Sequence, residues 1–200
     1  MAIEVLTRAD IKNLSVVSQG QLEIIDWWLY DTLTVAQGGT ATSFRFFQQA
    51  IGSTIGGSPI TLEQTNMEIP GQLPAGYKFI CQKMVFQPIQ KTDLKVDSVK
   101  DAFAVSHRGH AQFFIGTRPY MQLPVKELIG GTFNGFAAGG TEVAYASPRT
   151  IVNGEFEYSP AIPANFSFSL VVDYPVAPVL VADIAIRAMM VGKLVRPKQG

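Results

Sequence analysis

Glycine and proline recur along the whole chain, and they limit how it can fold more than any other feature. The 200 residues include 18 glycines and 12 prolines, which fall between segments of roughly 8 to 15 residues rich in valine, isoleucine and aromatic side chains. Segments of this kind, ended by turn residues, are typical of β-strands in a sandwich or barrel, whereas a βαβ protein has regular helical stretches between its strands. The pattern therefore predicts an all-β fold in a single domain.

Alternation of apolar with polar residues locates the longest strands. Four segments, at residues 21–35, 77–86, 165–173 and 183–190, are predicted as strands, and the alternation is clear in the last two. Because successive side chains of a strand point to opposite faces, we expect Phe79, Cys81 and Val85 to share one face of the second segment. In the last segment, the apolar positions lie opposite Arg187. For residues 21–35 a short helix is the alternative.

Two segments predict helix. Within residues 93–107, valine, phenylalanine and alanine recur at three- and four-residue spacing, which is typical of an amphipathic helix. Residues 7–14 are compatible with a short N-terminal turn or helix. The helices are thus minor additions to a β fold.

Charge is sparse and balanced. Charged residues make up 16% of the chain, against about 25% in an average soluble domain, and the sixteen basic residues equal the sixteen acidic ones. A chain without net charge has no general field that attracts nucleic acid, so we expect no strong direct binding to it. With 47% hydrophobic residues, the composition favours a surface that is buried against copies of the same chain.

The single cysteine, Cys81, excludes a disulfide framework and a multi-cysteine zinc site. No apolar run reaches about 18 residues, the length that a membrane-spanning helix needs. The first ten residues contain acidic side chains where a secretory signal has basic and then apolar ones. The sequence therefore predicts a protein that is made and used without secretion.

Few residues are candidates for catalysis or metal binding. His107 and His110 have the three-residue spacing of a helical metal site, but Gly109 interrupts the turn and no nearby cysteine or acidic cluster supplies a third ligand. We interpret them as an exposed turn at the end of a helix. Glu155 and Glu157 share a strand face without an aromatic cleft beside them, which is weak support for a glycosidase pair.

The remaining motifs also have structural interpretations. Cys81 lies mid-strand among apolar residues, with no histidine or lysine placed to generate a thiolate. The glycine-rich stretch 130–140 lacks the residues of a phosphate-binding loop and predicts a flexible or closely packed loop. The basic residues 193–198 are few for a nucleic-acid tail and fit a solvated strand end or a contact to an acidic neighbour. Hence we expect no catalytic residue, no cofactor and no metal.

Two adjacent tryptophans carry a prediction about the surface. In a strand, Trp27 and Trp28 must face opposite sides of the sheet. We expect one to fill the core and the other to point outward, where a large aromatic ring is unfavourable unless something covers it.

The order of the segments resembles that of a known family. A turn-rich entry at residues 62–79 leads into a long strand and is followed by the helical stretch 93–107, then by residues 111–124 and the glycine-rich stretch. Residues 160–174 and 183–197 complete the order. In this layout, over roughly residues 20–197, the chain is similar to the jelly-roll capsid proteins of bacteriophages, especially those of tailless icosahedral phages.

The resemblance implies a single jelly-roll β-sandwich, made of two four-stranded antiparallel sheets with one or two short helices. It divides the chain into an N-terminal arm (1–20), a jelly-roll domain (21–192) and a C-terminal tail (193–200). It further implies a capsid protein that self-assembles into an icosahedral shell, in a virion assembled in the host cytoplasm. The partners are then other copies, in capsomer and shell contacts, and other virion proteins; the presence of a membrane beneath the shell is left open.

Within this interpretation, the chain ends reach onto neighbours, since ends are easily ordered across an interface. Deletion of residues 1–14 is then expected to leave the fold but impair assembly. The alternative function is a non-viral β-sandwich binding module of carbohydrate or adhesion type, and an enzyme on a β scaffold is a third possibility. The residues expected in or near interfaces are Trp27, Trp28, Phe46, Phe47 and Arg196.

Overall fold

The computed structural model describes residues 3–7, 9–11, 22–55, 57–89, 96–129, 132–138, 141–147, 156 and 158–198. In these ranges the chain is mostly β, as predicted. The strands are β1 (Val5–Leu6), β2 (Leu22–Val35), β3 (Ser43–Phe46), β4 (Thr54–Ile55), β5 (Ser58–Pro59), β6 (Lys78–Ile89), β7 (His110–Ile115), β8 (Arg118–Pro124), β9 (Thr132–Ala138), β10 (Thr141–Ser147), β11 (Ser159–Pro163), β12 (Phe168–Asp173) and β13 (Ile184–Pro197). The helical elements are α1 (Val96–His107) and a 3-10 turn, η1 (Val125–Glu127).

Two antiparallel sheets form the body of the molecule. One has five strands in the order β1-β11-β6-β13-β2, and the other has four in the order β3-β12-β7-β8. Two hairpins, β9-β10 and β4-β5, form separate two-stranded sheets. The first sheet has five strands where four were expected, because Val5–Leu6 adds a short strand beside β11.

One hydrophobic core lies between the two sheets. On β12 the side chains of Phe168, Leu170 and Val172 are buried, as the alternation predicted, and they belong to the same cluster as the inward residues of β13. The rings of Phe46 on β3 and Phe86 on β6 meet edge to face, with centroids 5.9 Å apart. The sheets therefore pack face to face through aromatic side chains.

A β-bulge changes which residues of β6 face the core. The register of β6 against β13 shifts between Val191 and Gly192, which pair with Lys83 and Cys81, so that Gln82 is the additional residue. Phe79 and Cys81 are buried as expected, but the inward residues beyond the bulge are Met84 and Phe86. The expectation that Val85 shares the face of Cys81 is wrong, since the extra residue moves every later side chain to the other face.

The glycine-rich stretch 130–140 was expected to be a loop, and this is wrong for most of it. Residues 132–138 form β9, which pairs with β10 from Thr132↔Ser147 to Ala138↔Thr141. Glycine lowers strand propensity, so the stretch did not resemble a strand, but cross-strand pairing overrides that preference here.

Both chain ends add to the sheet of their own chain. β13 continues to Pro197, which pairs with Leu22, so residues 193–197 belong to the sheet although the tail was expected to begin at 193. At the other end, residues 9–11 are helical. There, Ile11 is buried against Ile80 and Ala161 on the outer face of the five-stranded sheet.

The predicted helix at 93–107 is confirmed over Val96–His107. It lies between β6 and β7 and contacts β6, β10, β13 and η1. Ala102 and Val105 are buried in the main core. The helix therefore closes the end of the sandwich at which β13 begins.

Candidate functional site

Phe46 and Phe47, which were expected in or near interfaces, lie in the core of the chain itself. Both side chains are fully buried within the chain. Phe46 packs on Phe86, and the ring of Phe47 lies 5.8 Å from that of Phe168. A side chain with no exposed surface contributes none to a contact with another molecule, so the two residues belong to the core.

The two tryptophans face opposite sides of β2, as predicted, but neither is buried. Trp27 lies on the side of Leu29 and is 37% exposed, while Trp28 lies on the outer face and is 60% exposed. The expectation that one of them fills the core is wrong. At this end of β2 the second sheet does not cover the strand, and Trp27 lines an open groove instead.

The groove beside Trp27 has a volume of about 170 Å³. Its apolar residues are Leu29, Met67, Leu73 and Leu194, and polar side chains stand among them. An apolar cleft with a few polar groups is the usual form of a small-molecule site, although such sites are generally larger, at about 300–1,000 Å³. The polar and aromatic residues that complete the lining are Asn66, Glu68, Gln72, Tyr77 and Arg196, together with Trp27 and Pro74.

Arg196 is paired within its own chain. Its Nε donates to Glu23 Oε2 at 2.9 Å, across the strand pair β13–β2, and this carboxylate raises the pKa of the guanidinium. Lys193 makes a second cross-strand ion pair, with Asp26 at 2.8 Å. Two of the three cations of the basic end therefore complement acidic residues on the adjacent strand, and the expectation that Arg196 lies in or near an interface stays a prediction.

A second recess, of about 400 Å³, lies on the four-stranded sheet. Arg45, Phe114 and Ser169 line it, together with the turn at 116–117 and with Ser167 and Phe168 at the start of β12. Gln48 also lines it, and its Nε2 donates to the carbonyls of Phe47 and Phe168 at 3.3 Å. The lining of the recess is mixed polar and apolar, and its amide side chain is already engaged.

The loop between β12 and β13, residues 174–183, exposes apolar side chains. Val176 is 73% exposed and Val179 is 87% exposed, and Val181 is also exposed. Between them, Pro178 and Leu180 are buried. We refer to residues 174–183 as the valine loop.

Hydrogen bonds to α1 hold the valine loop at both ends. The buried carboxylate of Asp101 on α1 accepts the N–H groups of Val181 and Ala182 at 2.8 and 3.0 Å. The hydroxyl of Tyr174 donates to the Val105 carbonyl at 2.6 Å, and burial raises the pKa of that phenol. Exposed apolar residues on a loop fixed in this way are pre-organised for contact with another surface.

Asp31 is a buried carboxylate that sequence reasoning missed. It is fully buried on β2, and its Oδ2 accepts the N–H groups of Phe47 and Gln48 at 2.6 and 3.3 Å. Its Oδ1 has no hydrogen-bond partner among the described residues. Burial raises the pKa of this carboxyl to about 6. Alternation could have indicated it, because Asp31 shares the inward parity of Leu29 and Leu33.

The candidate catalytic residues do not converge in the described part of the chain. His107 ends α1 and stacks on Phe103 with ring centroids 3.7 Å apart, whereas His110 is exposed at the start of β7. Burial lowers the pKa of His107 and so favours neutral imidazole. Cys81 is buried, which raises the pKa of its thiol. Glu155 and Glu157 lie outside the described residues.

Within the described ranges, no group of three or more histidine, cysteine, aspartate and glutamate side chains is arranged to hold a metal ion. Nor is any helix there long and apolar enough to cross a membrane. The chain matches no protein-family model, no curated protein and no solved structure. The function must therefore be inferred from the surface of the chain itself, whose two most distinctive features are the valine loop and the groove beside Trp27.

Proposed function

We propose that this chain is a structural protein of a viral shell, a capsid protein that assembles with copies of itself into a closed icosahedral particle. The proposal follows the resemblance to the capsid proteins of tailless icosahedral bacteriophages. It places the protein in the virion, with assembly in the host cytoplasm, and makes other copies and other virion proteins its partners.

The valine loop is the observation that carries this proposal. Full burial of a valine side chain stabilises a contact by about 1.5–3 kcal/mol, and Val176 and Val179 are almost entirely available for it. The loop is already ordered by Asp101 and Tyr174, so little conformational entropy is lost when it binds. A sparse charge, 16% of the residues, leaves little repulsion between copies.

Strand order supports the finer proposal that the sandwich is a jelly roll. The eight strands of the two large sheets, without the two-residue β1, are β2, β3, β6, β7, β8, β11, β12 and β13 in chain order. The first pairs with the last (β2 with β13), the second with the seventh, the third with the sixth and the fourth with the fifth. Rolling up one long antiparallel hairpin produces this pairing, which is that of a jelly roll.

Fold alone does not decide function, because jelly rolls occur in viral capsids and in lectins alike. The groove beside Trp27 is the observation that favours the alternative, a carbohydrate-binding module. An exposed indole next to Glu68 and Gln72 can stack on a sugar ring while the polar groups bind its hydroxyls. Its volume of about 170 Å³ is small for a ligand site, and this favours the shell.

Sedimentation velocity and negative-stain microscopy of the purified protein test the shell. We expect oligomers or closed particles. Val179→Asp places a charge on the valine loop and is expected to leave a folded monomer, whereas the matched control Val179→Leu is expected to assemble. A wild-type chain that stays monomeric at high concentration would contradict the proposal, as would normal assembly of the Asp variant.

A glycan array with isothermal titration tests the alternative. The binding module predicts saturable binding that is lost in Trp27→Ala and kept in Trp28→Ala, because only the first ring lines the groove. If the wild-type protein is monomeric and binds a glycan in this manner, the alternative replaces the shell.

A further inference from the structure

We propose that Asp31 is a proton-controlled latch, which in its protonated form locks the segment 65–72 over the edge of β2 and in its ionised form loosens it. The proposal is independent of the proposed function. It rests on the position of a buried carboxylate at the meeting point of three parts of the chain.

The first of these parts is the free edge of β2. The segment at Thr65 and Asn66 covers it: Asn66 Oδ1 accepts the N–H of Tyr30 at 2.9 Å, and Asn66 Nδ2 donates to the Trp28 carbonyl at 2.6 Å. Asp31 itself forms an antiparallel bridge with Thr65. These bonds take the place of a neighbouring strand at the middle of the edge.

The second and third parts are the turn after β3 and the loop that ends at Gly71. Asp31 Oδ2 holds the turn through Phe47 and Gln48. The Phe47 carbonyl in turn accepts the N–H of Gly71 at 2.6 Å. Release of the carboxylate from the turn therefore loosens the covering loop, since both are attached through Phe47.

The backbone at this junction is strained. Phe47 has a φ of +66°, in the left-handed region that residues other than glycine seldom adopt. Such a conformation costs on the order of 1–3 kcal/mol and persists only where its surroundings enforce it. The two hydrogen bonds to Asp31 and the burial of the Phe47 ring provide that enforcement.

The charge of Asp31 is poorly compensated. Oδ2 accepts two N–H groups, and the backbone N–H groups of Thr32 and Gln49 also favour the ionised form. Oδ1 nevertheless makes no hydrogen bond among the described residues, and burial outweighs these contributions, so the ionised carboxylate is unfavourable there. The charged side chains on the adjoining segments make no hydrogen bond or ion pair with it in the described structure. These side chains are Arg45 beside the turn, Glu63 and Glu68 on the covering segment, and Arg187 on β13. Arg187 donates instead to Thr32 Oγ1 and to the Glu63 carbonyl. It lies on the same side of the sheet as the ring of Tyr30.

The sign of the pH dependence follows from linkage. The pKa of Asp31 is about 6 in the folded chain, against the ordinary value of 3.8, so the latched state binds the proton more tightly than an opened state does. Protons therefore stabilise the latch, and this stabilisation is lost as the pH rises through 6. The closed-to-open ratio is expected to be roughly tenfold higher at pH 5 than at pH 7.5.

Hydrogen exchange measured at these two pH values, and corrected for intrinsic exchange rates, tests the latch. Peptides that cover residues 28–31, 45–50 and 65–72 are expected to gain roughly tenfold in protection at the lower pH. In Asp31→Asn the gain should disappear, because the amide does not titrate. The matched control is Asp101→Asn, another buried aspartate that accepts two backbone N–H groups, and it should keep the gain.

A tenfold gain that persists in Asp31→Asn would overturn the proposal, as would equal protection of the wild-type chain at both pH values. If Asp31→Asn does not fold, a ¹³C carboxyl titration of the wild-type chain decides instead. A midpoint for Asp31 near 6 supports the latch, and a midpoint near 4 overturns it.

Discussion

Asp31 and Asp101 show how differently one residue type can be buried. Both carboxylates lie inside the protein and accept two backbone N–H groups. Asp101 binds one N–H with each oxygen, whereas Asp31 uses a single oxygen for both and leaves the other unpaired. An unpaired buried oxygen costs more free energy when it is charged, which is why Asp31 is the aspartate we propose as the pH-sensitive one.

Among the glycines of the described structure, Gly192 is the one at which an added Cβ would lie closest to another atom. A Cβ there would lie 1.9 Å from the carbonyl oxygen of Ile80, which is backbone on the adjacent strand at the bulge. We expect Gly192→Ala to lower the free energy of unfolding by about 3 kcal/mol or more. Urea denaturation measures this. Val191→Ala, a truncation of the half-buried neighbour, is the control and should cost about 1 kcal/mol; equal effects of the two variants would show that β13 and β6 separate easily.

Cys81 provides a probe of unfolding. The thiol is fully buried, which raises its pKa, and its hydrogen-bond acceptor is the Lys83 carbonyl. Since the thiolate is the reactive form, we expect iodoacetamide to label the native chain at pH 8 at least roughly 100-fold more slowly than the urea-unfolded chain. Mass spectrometry of quenched samples measures the rates. Comparable rates would mean that the sheet opens locally at β6.

At the scale of elements, alternation was sufficient where a strand is regular. β12 and β13 could be predicted because apolar residues recur at every second position in each, Phe168 and Leu170 in the first and Ile184 and Ile186 in the second, and all four are buried. The same argument failed at the β6 bulge, because a bulge depends on a glycine of the partner strand that lies far away in sequence. Periodicity within one segment contains no information about the residues that face it.

The candidate site was harder to predict than the fold. Trp27 was recognised as important, but its groove is built from residues 66–77 and the end of β13, which only the tertiary structure brings together. The valine loop contains Pro175 and Pro178, and its composition suggests a turn. That its valines stay exposed depends on hydrogen bonds to α1: Tyr174, at the start of the loop, donates to the Val105 carbonyl, and Asp101 accepts the Val181 N–H near its end.

The N-terminal segment is expected to stabilise its own chain. β1 pairs with β11, and Ile11 covers Ile80 and Ala161 on the outer face of the sheet. We expect Ile11→Ala to lower the free energy of unfolding by about 2 kcal/mol, and Val5→Ala, whose side chain is exposed, to change it by less than about 0.5 kcal/mol. Thermal and urea denaturation compare the two variants. If Ile11→Ala leaves stability unchanged but abolishes assembly, the segment serves neighbours, as the sequence first suggested.

At the scale of the whole molecule, β13 connects the two candidate surfaces. The valine loop precedes its first residue, and the Trp27 groove includes Leu194 and Arg196 near its last. Fourteen residues of strand span roughly 45 Å, so the two surfaces lie at opposite ends of the sandwich. A copy with separate contact surfaces at its two ends can bind different neighbours through each, which is the geometry that heterologous assembly requires.

The forces that hold such an assembly together predict its response to salt and temperature. Asp26 and Glu23 pair with two of the three cations at the basic end of the chain, and the exposed valines carry no charge, so we expect contacts through the valine loop to depend on apolar burial. At about 1 M NaCl the Debye length falls to about 3 Å and exposed ion pairs are screened, yet the extent of assembly should change by less than about threefold.

Cooling should weaken the assembly, because apolar burial is entropy-driven near room temperature. Light scattering across a salt series and a temperature series measures both responses. Dissociation on addition of NaCl, without any effect of cooling, would instead indicate that paired charges across the interface hold the copies together.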